Sequence, residues 1–260
     1  MYPARARPGA RLDITILGAA DAFCSKGHLN AAYLFETDRS TFLVDCGPTA
    51  LLAMKQRGID TARLDFVVVS HFHGDHFGGL PNLLLEYTYE RPRERPLLIV
   101  GPPGMEERLW MLYRALYPDV DRHALPFPLR FLELTPETTA AVADVGIFSV
   151  RVPHQVEDTA LALRFDVDGK RVLYSGDSPW VDRFIELANG VDLFLCECTA
   201  YATPMGLHIE YGILRPLIPQ LRCRRLVLMH LGREMREHAA EIDVECASEG
   251  MVIKLWPTCS

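Results

Sequence analysis

Three histidines and a carboxylate fall within six residues in the stretch His71-Phe72-His73-Gly74-Asp75-His76. Neutral imidazoles crowded against a carboxylate suit Zn²⁺, Mn²⁺ or Fe²⁺, whereas Ca²⁺ and Mg²⁺ favour shells built wholly of oxygen. The preceding residues, Phe66-Val67-Val68-Val69-Ser70, are apolar and largely β-branched, and Gly78-Gly79 then opens a helical pattern. A strand that runs straight into such a corner projects several side chains into one small volume. A solvated loop would tolerate the same residue types, but it gives no reason for an HxHxDH spacing directly after a buried strand.

The elements that must hold this corner can be read from the rest of the chain. Strand patterns occur over 12–17, 32–35, 41–44, 66–70 and 97–100, and helical spacing over 50–57, 80–87 and 104–116. The second half repeats the style, with strands over 131–134, 141–152, 160–167, 171–174, 192–197 and 225–229. Its helices fall over 179–187 and 209–221, the latter interrupted at Pro216. Two β-rich halves with helices between them predict an α/β protein: an αββα sandwich of two mixed β-sheets flanked by helices. Residues 1–10 carry Arg and Pro without an apolar stretch and predict a flexible N-terminal tail. Residues 11–260 predict a single domain, since no Gly/Ser-rich linker divides them.

At its HxHxDH motif the sequence resembles the metallo-β-lactamase superfamily, and the likeness extends over nearly the whole chain. The superfamily's further metal ligands have counterparts in His154 of Arg151-Val152-Pro153-His154, Asp177 of Tyr174-Ser175-Gly176-Asp177 and His230 of Leu226-Val227-Leu228-Met229-His230. Each follows a strand pattern, and strand ends at one edge of a sandwich converge on a common crevice. The resemblance implies two divalent metal ions, with zinc expected and manganese or iron as alternatives. It assigns His71, His73 and His154 to one, and Asp75, His76 and His230 to the other, with Asp177 and a water or hydroxide between them. Hydrolysis by a bridging hydroxide is the chemistry that such a pair supports. Asp45, in Val44-Asp45-Cys46-Gly47, matches an aspartate that supports the metal-site loop in many members; a strand-end cap is its plainer explanation.

Several stretches are similar to the branch containing ribonuclease Z and related small phosphodiesterases. They are Leu12-Asp13-Ile14-Thr15-Ile16-Leu17-Gly18, Val100-Gly101-Pro102-Pro103-Gly104 and Leu195-Cys196-Glu197-Cys198-Thr199. Gly206-Leu207-His208 lies where that branch carries an extra histidine. By this likeness His208 stabilises charge on a phosphoryl oxygen or protonates the leaving oxygen, Glu197 orients its ring, and Asp75 joins them in the catalytic set. An exposed residue at a helix start is the plainer reading of His208. One departure is large. Ribonuclease Z proteins insert a transfer-RNA-clasping arm between the histidine and the bridging aspartate, and here only 22 residues, 155–176, separate the two. That is enough for a strand, the Asp168-Gly169 turn and another strand.

Composition points the same way. With 27 Lys and Arg against 34 Asp and Glu, the chain has a formal charge of -7, which offers no global attraction for a polyanion. Nine of the basic residues fall in 91–95 and 215–236, stretches that solvated surface accounts for. Seven cysteines without a CxxC pair argue against a disulfide framework and predict a reducing, cytoplasmic setting. No apolar run approaches membrane-spanning length. The expected partner is therefore a small-molecule substrate, with no membrane, no long nucleic acid, and a homodimer as a family expectation. A phosphodiesterase acting on a small, cyclic-nucleotide or other cyclic-phosphate substrate is the leading expectation. The alternatives are lactone or carboxyl-ester hydrolysis, RNA 3'-end processing, and a non-catalytic metal- or ligand-binding role. Of the aromatics near the motifs, Phe72, Phe77, Tyr87, Tyr89 and Trp180 could line a substrate site, although packing is the commoner fate of such side chains.

Overall fold

The alternation of apolar side chains along the strands sets the layers of this protein, in a computed structural model that describes residues 11–119 and 125–256. The expected tail over 1–10 lies outside the described residues. The strands are β1 (Leu12–Gly18), β2 (Ala32–Thr37), β3 (Thr41–Val44), β4 (Phe66–Val68), β5 (Leu97–Gly101), β6 (Leu129–Glu133), β7 (Thr139–Val142), β8 (Val145–Val152), β9 (Ala160–Val167), β10 (Lys170–Tyr174), β11 (Leu193–Glu197), β12 (Leu226–Met229) and β13 (Val252–Lys254). They form one sheet in the order β13-β1-β2-β3-β4-β5-β6 and a second in the order β12-β11-β10-β9-β8-β7. Both are mixed: β3 to β6 run parallel, as do β10 to β12, while the remaining pairs are antiparallel.

Along the first sheet, Leu12, Ile14, Tyr33, Phe35, Phe42 and Phe66 point inward and meet Leu161, Leu163 and Phe165 of β9. Phe42 stacks on Phe66 with centroids 4.6 Å apart. Burying such a side chain contributes about 1.5–3 kcal/mol. The intervening residues Leu17, Leu34, Leu43 and Val67 face outward, beneath α1 (Ala50–Gln56), α3 (Leu80–Leu85) and α4 (Met105–Leu116). A short α2 (Gly74–Phe77) lies inside the HxHxDH motif. On the outer face of the second sheet, Leu173, Phe194 and Cys196 pack with α5 (Arg183–Leu187), α6 (Tyr211–Leu214) and α7 (Arg233–Glu237). The αββα sandwich is thus the fold, each strand reading inward and outward with period two.

The structure departs from the sequence reading in a few places. The single strand expected over 141–152 is a hairpin, β7 turning into β8 through Ala143, which takes a left-handed φ of 51°. The Asp144 carboxylate at that turn accepts hydrogen bonds from Thr37 (2.8 Å) and Ser40, so a tertiary contact favours the bend that the apolar run hides. The helix expected over 209–221 is α6 followed by a 3-10 segment, Arg215–Gln220, because Pro216 and Pro219 cannot continue the α-helical ladder. The helix over 179–187 begins only at Arg183. Strand β13 and helix α7, neither of which the pattern announced, occupy the first sheet's edge and the outer face beyond His230.

Candidate metal centre

β4 delivers the motif, and the segment after β3 holds it in place. Asp45, at φ 60°, accepts the backbone N–H of Ser70 at 2.7 Å and its hydroxyl at 2.9 Å. Beyond it, Cys46 N–H donates to the His76 carbonyl at 2.7 Å and Gly79 N–H to the Cys46 carbonyl at 2.8 Å. The two backbones are so close that a Cβ on Gly47 would lie 1.9 Å from the Asp75 carbonyl oxygen. The second sheet supplies the remaining residues: β8 runs into His154, β10 into Asp177, β11 into Glu197 and β12 into His230.

These strand ends converge. His71, His73, His154 and Asp177 present donor atoms that all lie within 4.8 Å of one another, and so do Asp75, His76, Asp177 and His230. Asp177 belongs to both groups. Its Oδ2 stands 3.2 Å from Nε2 of His76 and of His230, and 3.8 Å from Nε2 of His71 and of His154. Asp75 Oδ2 lies 3.2 Å from Nε2 of His76 and of His230. All seven residues expected as ligands are therefore brought together, each group drawing two residues from the loop after β4 and two from the second sheet.

Four imidazoles have their Nδ1 engaged elsewhere, which turns Nε2 toward the centre. His71 Nδ1 meets the Ser70 hydroxyl at 3.0 Å, His76 Nδ1 the Asp45 carboxylate at 2.7 Å, His154 Nδ1 the Leu207 carbonyl at 2.9 Å, and His230 Nδ1 the Thr199 hydroxyl at 2.9 Å. Because His154 donates its Nδ1 proton to Leu207, its Nε2 is bare. That nitrogen lies 2.9 Å from His73 Nδ1, a closeness that a proton on His73 or a shared cation accounts for.

A divalent cation fits what remains. His71 Nε2, His76 Nε2 and Asp177 Oδ1 are buried without a hydrogen-bond partner, and buried polar atoms are seldom left so. Burial drives the His71 imidazole well below its ordinary pKa, toward the neutral form that ligates. It also brings His154 down to about 4. Burial alone would raise the Asp177 carboxyl, but His230, His76 and His71 around it hold it well below the usual range, so it stays ionised.

A further pair adjoins the two groups. Glu197, fully buried at the end of β11, accepts the Ser178 N–H at 2.6 Å, the Thr199 hydroxyl at 2.9 Å and His208 Nδ1 at 3.1 Å. The His208 ring stacks on His230 with centroids 5.3 Å apart and meets His154 edge-on at 4.9 Å. Burial would lower its pKa, yet the Glu197 hydrogen bond and charge prevail and raise it.

The aromatics flagged from the sequence take packing roles. Phe72 and Phe77 join the core under the helices, Tyr87 is buried with its hydroxyl on the Thr61 carbonyl, and Trp180 bonds Asp182 and packs on Phe184. Tyr89 is exposed. Sequence reasoning missed Ser70, Tyr174 and Thr199, which touch the putting-together of the site through Asp45, His71 and His230. Their signal is position alone: each lies within three residues of a motif residue. It also missed a cavity of about 460 Å³ that shares Thr199 with the centre and is walled by Phe23 and Met205, both exposed. The basic stretches are largely neutralised: Arg91 pairs with Asp60, Arg95 with Asp65, Arg215 with Asp243 and Arg225 with Glu245. Among the described residues no helix is long and apolar enough to cross a membrane.

Several known proteins are similar to this chain. Ribonuclease Z of Lachnoclostridium phytofermentans is 29% identical over 232 residues, covering 72% of this chain and 74% of that protein. Ribonuclease Z of Methanothermobacter thermautotrophicus is 25% identical over 284 residues and 92% of each chain; the alignment exceeds the 260 residues present here, so that relative carries insertions this chain lacks. The metallo-β-lactamase fold protein YhfI from Bacillus subtilis superposes with a TM-score of 0.77 at 22% identity, over 94% of this chain and 100% of its own, and shares the fold. Fold and centre together define a metal-dependent hydrolase of the metallo-β-lactamase class, on its ribonuclease Z-like branch. Within that class the chain belongs to the family described as Anti-Pycsar protein Apyc1, whose model matches residues 12–249.

Proposed function

We propose that this protein is a phosphodiesterase for a small substrate, a cyclic nucleotide or another cyclic phosphate, with two zinc ions as its cofactor. His71, His73 and His154 would hold one ion, Asp75, His76 and His230 the other, and Asp177 both. Bound there, the ions supply Lewis-acid polarisation of phosphoryl oxygens and a water acidic enough to attack near neutral pH. The observation that carries the phosphodiester reading is the His208–Glu197 pair set against both groups. Glu197 accepts the Nδ1 proton and so leaves the other ring nitrogen of His208 free of that bond. Its raised pKa favours a proton on that nitrogen, ready for the leaving oxygen or for charge on phosphorus oxygens. A small substrate is supported by the 22-residue connection from His154 to Asp177, taken up by the β9–β10 hairpin, and by arginines already committed to carboxylates. The cavity walled by Phe23 and Met205 would receive the organic part of the substrate.

The test is hydrolysis of bis-p-nitrophenyl phosphate and a panel of cyclic nucleotides by the zinc-loaded wild type, His73→Ala and His208→Ala. Turnover that vanishes in the first variant and falls about 10²–10⁴-fold in the second is expected. Turnover of lactones or carboxyl esters without diesterase activity would overturn the reading, as would cleavage of precursor transfer RNA in preference to small diesters.

A further inference from the structure

Glu234 lies on α7, four residues beyond His230, and takes no direct part in the two groups of donor atoms. Its carboxylate nevertheless collects four donors from a single loop. One oxygen accepts the backbone N–H groups of Tyr201 (2.9 Å), Ala202 (3.1 Å) and Thr203 (3.1 Å), and the other accepts the Thr203 hydroxyl (3.1 Å). Consecutive amides turned toward one anion form a concavity that a neutral side chain cannot replace at full strength. These amides, Thr203's foremost, hold the carboxyl below its ordinary pKa range.

What that loop carries makes the contact matter. It leads to Leu207, whose carbonyl accepts His154 Nδ1 at 2.9 Å, and to His208, whose Nδ1 lies 3.1 Å from Glu197. The helix bearing Glu234 is itself anchored. Leu231 N–H donates to the Ala19 carbonyl at 2.7 Å and Gly232 N–H to the Thr199 carbonyl at 3.1 Å. A Cβ on Gly232 would lie 2.4 Å from that carbonyl oxygen, so the approach requires glycine.

We propose that Glu234 is a positioning residue: it clamps the 201–208 loop to the end of the His230 strand, so that the Leu207 carbonyl fixes His154 with its proton on Nδ1. This rests on reading the centre as a metal site. Without the clamp, Leu207 moves off, His154 loses the acceptor that selects its tautomer, and the group of His71, His73, His154 and Asp177 weakens. The group of Asp75, His76, Asp177 and His230 meets that loop only through the His208 ring stacked on His230, whose Nδ1 is held by Thr199, and so loses less affinity.

The experiment is a chelator-competition titration of Zn²⁺ into metal-stripped full-length wild type, Glu234→Ala and Glu234→Gln, with thermal unfolding of each stripped protein alongside. Wild type should take up about two equivalents. In Glu234→Ala one equivalent should weaken by about 10–100-fold, the loss expected when a ligand's outer partner goes. The other should weaken much less, and the stripped proteins should melt alike. Glu234→Gln keeps an oxygen for the amides and should recover most of the affinity. Two equivalents at wild-type affinity in Glu234→Ala would overturn the proposal. Equal weakening of both equivalents with a lowered melting temperature would overturn it too, since that marks a general loss of stability. A wild type that takes up no metal would instead overturn the reading of the centre, so the two failures are distinguishable.

Discussion

Four donors from three residues converge on Asp45: the Ser70 amide and hydroxyl, His76 Nδ1 and the Tyr174 hydroxyl. A carboxylate can accept all four, whereas an amide of the same shape must turn one N–H toward donors. Asp45→Asn should therefore leave His76 poorly oriented and lower metal affinity by about 10–100-fold, measured by competition with a chromogenic chelator. Retention of wild-type affinity would show that His76 is oriented by something else. Asp45 could be picked out of the sequence because it matches an aspartate that many members of the resembled superfamily carry after this strand. Thr199 could not. Its hydroxyl touches Glu197, two residues away, and His230, 31 residues away, and only the folded chain joins those distances.

At the scale of elements, the motif loop keeps its shape because two backbones meet without side chains between them. A Cβ on Gly79 would lie 2.1 Å from the Gly47 carbonyl oxygen, whereas one on Gly74, in the same motif, meets nothing within 4 Å. Gly79→Ala should then cost about 1–3 kcal/mol in urea unfolding, as overpacking does, while Gly74→Ala should be close to neutral. Equal effects of the two substitutions would refute this account of the loop. Both glycines are visible in the sequence, yet only the structure separates them, since close approach is a property of paired segments. The strands were legible wherever apolar residues alternate or cluster, as in Ala160–Val167. The β7–β8 turn was not, because Ala143 and Asp144 bend the chain to suit contacts with Thr37 and Ser40.

For the whole molecule, the sandwich could be read in advance from strand patterning, whereas His154, Asp177 and His230 were set beside the HxHxDH motif by resemblance to the superfamily. The cavity beside Thr199 could not be read in advance, because Phe23 and Met205 come from loops and Glu234 from α7, and no periodicity records their meeting. Ions bound only by the folded state stabilise it, by about 2.7 kcal/mol at a hundredfold excess over the dissociation constant. Stripping the protein with a chelator should thus lower its melting temperature by roughly 5–11 °C for each such ion, given about 2–4 °C per kcal/mol at this size. An unchanged melting curve would mean that the centre forms without them.

Each group of donors takes half its members from the loop after β4 and half from the second sheet. Neither half of the chain can offer an ion more than two donors of either group by itself. The full four-donor set of either group therefore exists only once the sheets have docked. The moment at which Co²⁺ develops its ligand-field colour in a refolding chain would time the closing of the sandwich.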